Sequence, residues 1–164
     1  MPLAIRQATS SDIPAIARIS VAAFHPSTDA VSRNLFPTHL QPTDQPDGYA
    51  HYVWRVYRKS SRLDNAGSMM LVVADDALPT ADEVVGFAVW DIPDRHALPS
   101  SAGSNNSVDP ELLAVAKASM DDSAFESLRR SVASAARDVF GEAGYGNAWR
   151  EVAPLPHALA VVDS

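Results

Sequence analysis

The sequence predicts an α/β domain of the α+β type, in which helices flank a mixed but mainly antiparallel sheet. Two patterns lead to this class: an N-terminal strand that runs directly into a capped amphipathic helix, and two adjacent strand-like segments joined by an acidic turn. The third observation is size, since 164 residues with 46% apolar side chains can build one core and are too few for two independent domains. We therefore expect residues 1–164 to form a single domain.

The first part of the chain predicts a strand followed by two helices. Leu3–Ala8 alternates as a short strand does, and Thr9–Asp12 supplies capping side chains for a helix that ends near Phe24. Apolar residues recur in this helix every three or four positions, which is typical of a helix packed against a sheet. A shorter helix is expected over Asp29–Leu35.

A loop and a longer helix come next. The polar, proline-bearing stretch from Pro37 to Gly48 is predicted to be a mobile loop. From Tyr49 to Ser61 the aromatic and aliphatic residues share one helical face, which we expect to join the core. The basic residues Arg55, Arg58 and Lys59 are expected elsewhere on the helix.

The next two apolar segments, Ser68–Ala74 and Glu83–Asp91, predict an antiparallel pair of strands. Gly86, inside the second segment, predicts a bulge or a close backbone approach. Residues 92–108 are rich in Pro, Ser, Asn and Gly, and we expect a flexible insertion there.

The last part of the chain predicts helices and a final strand. Helical segments are expected from Glu111 to Met120 and from Ser123 to Phe140, where glycines follow. An apolar stretch that begins at Leu155 predicts the final strand.

Composition narrows the classes of partner. A net charge of −7 with scattered basic residues disfavours nucleic acid and favours a small molecule or a protein. The chain has no cysteine, which excludes disulfides and thiolate chemistry, and no side chains have metal-ligand spacing, so we assign no metal. No window reaches the roughly 20 apolar residues of a membrane span, and we expect a cytoplasmic protein without a membrane partner.

The order of these elements resembles the N-terminal half of the GNAT superfamily of N-acetyltransferases. Ile5–Ile16 is similar to the family's entry into its first helix, Arg-x-Ala-x-x-x-Asp, and the helix closes at Ala23–Phe24 as in many fungal-type members. Val85–Trp90 is similar to the family's third strand and His157–Val161 to its fourth. Each string is short and common, so their order and spacing carry the resemblance.

The resemblance implies an acyltransferase that moves an acetyl group from the co-substrate acetyl-CoA to the amine of a small molecule or peptide. In the family the main chain of the fourth strand binds the pantetheine arm, which falls here on Leu159, Ala160 and Val161. His157 stands where many members place the base that deprotonates the amine, and a neutral imidazole suits that task. The alternative is that His157 makes an ordinary hydrogen bond at the end of a strand.

The resemblance also implies an acceptor pocket between the end of the first helix and the third strand. Phe24, His25 and Trp90 are its expected walls. The alternative is that these side chains belong to the core, and Phe24 fits the apolar stripe of its helix.

The sequence departs from the family after the fourth strand. In the family this strand leads into a loop with the pattern Gln/Arg-x-x-Gly-x-Gly/Ala, whose backbone N–H groups hold the pyrophosphate of acetyl-CoA at a helix N-terminus. This sequence lacks that pattern, so we expect a truncated domain with impaired activity. The alternative is a non-catalytic α/β interaction module, or a degenerate acetyltransferase, that completes its sheet by oligomerisation, for instance as a homodimer.

Overall fold

The fold is organised by an antiparallel sheet whose strands lie side by side in chain order. The computed structural model describes residues 3–79, 83–92, 109–141 and 150–151. The strands are β1 (Leu3–Gln7), β2 (Ser68–Asp75), β3 (Val84–Asp91) and β4 (Arg150–Glu151), and each is antiparallel to its neighbour. The helices are α1 (Ile13–Ala23), α2 (Ala30–Leu35), α3 (Tyr49–Leu63), α4 (Pro110–Ala118) and α5 (Asp122–Phe140), with 3-10 turns at Ser10–Asp12 and Thr38–Leu40. The predicted α+β class is confirmed.

The predicted elements of the described residues lie within a few residues of their expected bounds. The register of β2 and β3 shifts beside Gly86, where Val85 is the extra residue, so the predicted bulge is confirmed. The short strand β4 precedes the strand predicted from Leu155, which lies outside the described residues. The insertion predicted over 92–108 also lies almost wholly outside them, and the mobility of the loop from Pro37 to Gly48 stays a prediction.

The passage from β1 to α1 is fixed by one buried carboxylate. Arg6 donates to both oxygens of Asp12, over 2.7 and 2.9 Å, and the backbone N–H and the hydroxyl of Thr9 donate to Asp12 Oδ2 over 2.7 and 2.9 Å. These bonds, with the one from Arg6 the largest cause, lower the pKa of Asp12 to about 2. The Arg-x-Ala-x-x-x-Asp string therefore sets the angle between strand and helix.

The core lies between α1, α3 and one face of the sheet. Ile16 and Val72 are fully buried at its centre, and burying a side chain of this size contributes roughly 1.5–3 kcal/mol. The helix stripe and the alternating strand residues meet there as the sequence predicts. The other buried members of this cluster are Ala8, Ile13, Ala15, Met70, Val84 and Val89.

The opposite face of the sheet carries the other half of each strand's alternation. Val89 pairs with Met70 in the core, so its neighbour Trp90, which pairs with Met69, lies on the opposite face. On β1, at the edge of the sheet, Ile5 is 67% exposed. This face is therefore apolar and partly open.

Candidate functional site

The candidate site lies where the C-terminal end of α1 meets α3. Phe24 is buried at this junction, and the guanidinium carbon of Arg55 lies 5.7 Å from the centre of its ring. Phe24 is therefore a core residue whose ring also contacts the guanidinium of Arg55. A place in the core does not prevent its ring from lining a site, so the two alternatives that the sequence left open for Phe24 are compatible. His25 follows directly and packs against the segment that begins α3.

His25 is held by its own turn and by Gly48. Its Nδ1 accepts from the backbone N–H of Ser27 at 3.2 Å, which leaves the proton of the neutral ring on Nε2. Nε2 lies 3.8 Å from a carboxylate oxygen of Asp47. Gly48, at a φ of 78°, leaves little space for a side chain, because a Cβ would lie 3.1 Å from His25 Nε2.

His51, in the first turn of α3, is wholly buried. Its ring centre lies 4.8 Å from that of Phe36, and its Nε2 accepts from Arg55 Nε at 2.8 Å. Burial first, then the positive charge of Arg55 and a further electrostatic contribution of His25, lower the pKa of His51 to about 3. The ring is therefore neutral with its proton on Nδ1, and this buried Nδ1 has no hydrogen-bond partner among the described residues.

Arg55 is half-buried one turn further along α3. Its Nε is committed to His51, and within the described residues no carboxylate forms an ion pair with it. Burial lowers its pKa to about 10, with the carboxylate of Asp29 opposing this shift and the charge of Arg58 adding to it. The terminal amino groups of its guanidinium make no hydrogen bond in the described part of the chain.

Lys59 is the most buried cation of the helix, with 7% of its surface exposed. Its Nζ lies 4.4 Å from the centre of the Phe87 ring, and no carboxylate of the described ranges lies within ion-pair distance. Burial, and then repulsion by Arg55, Arg62 and Arg58 in that order, lowers the pKa of Lys59 to about 7. The amine is therefore partly neutral at physiological pH.

At the C-terminal end of α3 the positive charge of Arg62 is neutralised by a carboxylate. Arg62 pairs with Asp91 at the end of β3 and donates to the hydroxyl of Ser68 over 3.1 Å. We refer to His51, Arg55, Lys59 and Arg62 as the basic row of α3, because their spacings of four, four and three residues place them along one side of the helix.

The structure brings together two of the three side chains predicted to line the acceptor pocket. Phe24 and His25 adjoin the basic row, whereas Trp90 lies on the face of the sheet that points away from the core. The predicted base His157 and the predicted cofactor contacts lie outside the described residues. Those cofactor contacts are Leu159, Ala160 and Val161.

Among the described residues there is neither a cluster of metal-ligating side chains nor a membrane-spanning helix. Within 3–79, 83–92, 109–141 and 150–151, no three His, Asp or Glu side chains come together as a metal site would need. None of the helices described is long and apolar enough to cross a membrane.

The sequence pattern missed the basic row. Its members recur at helical spacing, which correctly puts them on one side of α3, but charged residues on a helix usually face solvent. The prediction that Arg55 and Lys59 lie away from the buried side is wrong for Lys59, which the packing of α3 against Phe87 takes out of water.

Comparison with protein-family models, with curated proteins and with solved structures found no match for this chain.

Proposed function

We propose that this chain is an acyltransferase domain of GNAT type that transfers an acetyl group from acetyl-CoA to an amine of a small molecule or peptide. The observation that carries the proposal is the arrangement of its elements. A strand enters α1 through the Arg6–Asp12 pair, three helices precede β2, and β1 to β4 follow one another antiparallel. As far as β3 this order agrees with the one from which the resemblance was drawn, and the fourth strand of the resemblance, His157–Val161, lies outside the described residues.

The chemistry would be direct attack of the amine on the thioester. The nitrogen bonds to the acetyl carbon, the carbon–sulfur bond breaks, and the CoA thiolate takes up a proton. His157 is the proposed base that removes the proton from the amine, and the main chain of Leu159, Ala160 and Val161 is the proposed edge for the pantetheine arm. Phe24 and His25 would line the acceptor side.

The first experiment is a thermal melt of the full chain with acetyl-CoA. A ligand at 100 times its Kd stabilises the fold by about 2.7 kcal/mol, which corresponds to roughly 5–10 °C for a chain of this length. We expect a shift of this order at millimolar acetyl-CoA. No shift at that concentration would exclude the acetyl-CoA proposal.

The second experiment follows the release of CoA with a thiol reagent while a panel of amines is offered. The chain has no cysteine, so every thiol detected comes from CoA. His157→Gln is expected to lower the rate and keep the acetyl-CoA melt shift, and His39→Gln, at an exposed turn, serves as the matched control. Equal rates for the two variants would reject His157 as the base.

A second function is favoured by one feature, the exposed apolar edge of the sheet. Leu3 and Ile5 on β1 are 60% and 67% exposed, and an open strand edge invites pairing with another chain. An interaction module would melt at temperatures that rise with protein concentration and would not respond to acetyl-CoA. Sedimentation together with the melts therefore separates the two functions.

A further inference from the structure

Ion pairs in the described ranges leave out the two most buried cations of α3. Carboxylates outnumber Lys and Arg in the chain, 20 to 13, so counter-ions are plentiful. In the described ranges they pair with Arg6, His25, Arg62 and Arg129. Arg55 and Lys59, the two most desolvated cations of the helix, receive none.

This arrangement is costly for the folded protein. Lys and Arg are rarely buried without a partner, because the lost hydration must be replaced by an opposite charge or by hydrogen bonds. Here Arg55 has the face of Phe24, one hydrogen bond to the neutral ring of His51 and the more distant charge of Asp29. Lys59 has the face of Phe87, and the two cations also repel each other. A ring face replaces a small part of that hydration.

Arg55 and Lys59 carry hydrogen-bond donors of the kind that bind an oxyanion. Residues four apart on a helix lie side by side, about 5–6 Å between Cβ atoms, so Arg55 and Lys59 can reach one ligand. The bond from Arg55 Nε to His51 orients the guanidinium and leaves its two terminal amino groups to bind. A guanidinium fork matches the paired oxygens of a carboxylate or phosphate, and an ammonium adds a third donor.

A second observation concerns the residue that orients Arg55. Among the described residues no acceptor lies at His51 Nδ1, on the side of the buried ring away from the Nε2 that binds Arg55. Such orphaned donors are uncommon in folded proteins. An anion beside Arg55 would also oppose the positive field that Arg55 exerts on this ring.

We propose that Arg55 and Lys59 bind the oxyanion group, carboxylate or phosphate, of a small-molecule ligand, with His51 as the positioning residue for Arg55. The proposal uses none of the residues assigned to acetyl-CoA, and its test uses no acetyl-CoA. The failure of one proposal is therefore distinguishable from the failure of the other.

The test is a thermal melt of the full chain at pH 6.5 with increasing inorganic phosphate, or with increasing acetate, at an ionic strength held constant with sodium chloride. We expect one or both oxyanions to raise the melting temperature by about 3 °C or more, along a curve that saturates as binding does. The general salting-out effect of phosphate does not saturate and is common to all variants. The anion that saturates identifies the ligand group.

Variants decide whether the basic row is responsible. Lys59→Met keeps the length of the side chain and removes its charge, and it is expected to weaken the apparent affinity at least tenfold. Lys117→Met, at an exposed position of α4, is the matched control and should keep the response. Arg55→Lys keeps the charge and removes both the fork and the bond to His51, and it should also weaken binding. The absence of a saturating shift with both anions, or equal responses of Lys59→Met and Lys117→Met, would overturn the proposal.

Discussion

Replacing Lys59 with methionine should stabilise the protein in the absence of ligand. The side chain is nearly the same size, so its contact with Phe87 survives, and the buried charge disappears. A pKa depressed from 10.5 to about 7 corresponds to a cost of about 4 kcal/mol at pH 7, at 1.36 kcal/mol per pKa unit. Because water penetration lowers such costs, we expect Lys59→Met to raise the free energy of unfolding by about 2–4 kcal/mol.

The pH dependence of this gain has a definite sign. Above pH 10.5 the amine is neutral in both states and burial costs nothing, whereas below about pH 7 it is charged in both and the full cost applies. The advantage of Lys59→Met should therefore be largest at pH 7 and below, and should shrink as the pH rises toward 10. Arg55, Arg58 and Arg62, which face the amine, keep their charge across most of this range, and Asp91 is already paired with Arg62.

The assay is urea denaturation of wild type and variant at pH 6, 7, 8.5 and 9.5. Lys117→Met, which replaces the chain's other lysine at an exposed site, removes the contribution of net charge. We expect this control to stay within about 0.5 kcal/mol of wild type. Two results would show that Lys59 is not desolvated: a free energy of unfolding for Lys59→Met no higher than that of Lys117→Met, or a difference between the two variants that does not change with pH. Either result would contradict the burial of charge on which the proposed anion site depends.

Three further predictions concern the Arg6–Asp12 pair, the buried imidazole of His51 and the glycine that precedes α3. Asp12→Asn should lower the free energy of unfolding by about 2 kcal/mol at pH 7, measured by urea denaturation, because the pKa of Asp12 lies near 2 in the folded state. The loss relative to wild type should become smaller as the pH falls from 4 toward 2. A loss at pH 3 as large as that at pH 7 would contradict this. The His51 ring must stay neutral in the folded protein, so the melting temperature of the wild type should fall as the pH drops below 6.5. His51→Gln should show a shallower fall between pH 6.5 and 4.5. Parallel plots of melting temperature against pH for the two proteins would rule out a neutral buried ring. Gly48→Ala should lower the free energy of unfolding by about 1–2 kcal/mol, and by more than Gly141→Ala does. Both glycines have a positive φ, but of the two added Cβ atoms only the one at Gly48 would contact its surroundings, with His25 Nε2 the nearest atom. Equal losses for the two variants in chemical denaturation would show that this contact is unimportant.

The sequence by itself determined the class of fold and the order of the elements. Alternation in Leu3–Gln7 and Ser68–Asp75, and the three-to-four-residue apolar spacing of α1, report which side of each element avoids water, and these periods are local properties of the chain. Helix ends were also readable, since Asp109 and Asp121 each accept a backbone N–H as capping side chains do.

The site depended on the tertiary structure. Periodicity places Arg55 and Lys59 on one side of α3 but does not fix how far the helix is rotated against the sheet, and that rotation decides whether a charge meets water or Phe87. The same limit applies to Trp90, because the face that a strand residue occupies follows from the register and the packed side of the whole sheet. Burial and pairing of charge are properties of contacts between distant segments, so only the folded chain shows that two cations of α3 lack a counter-ion among the described residues.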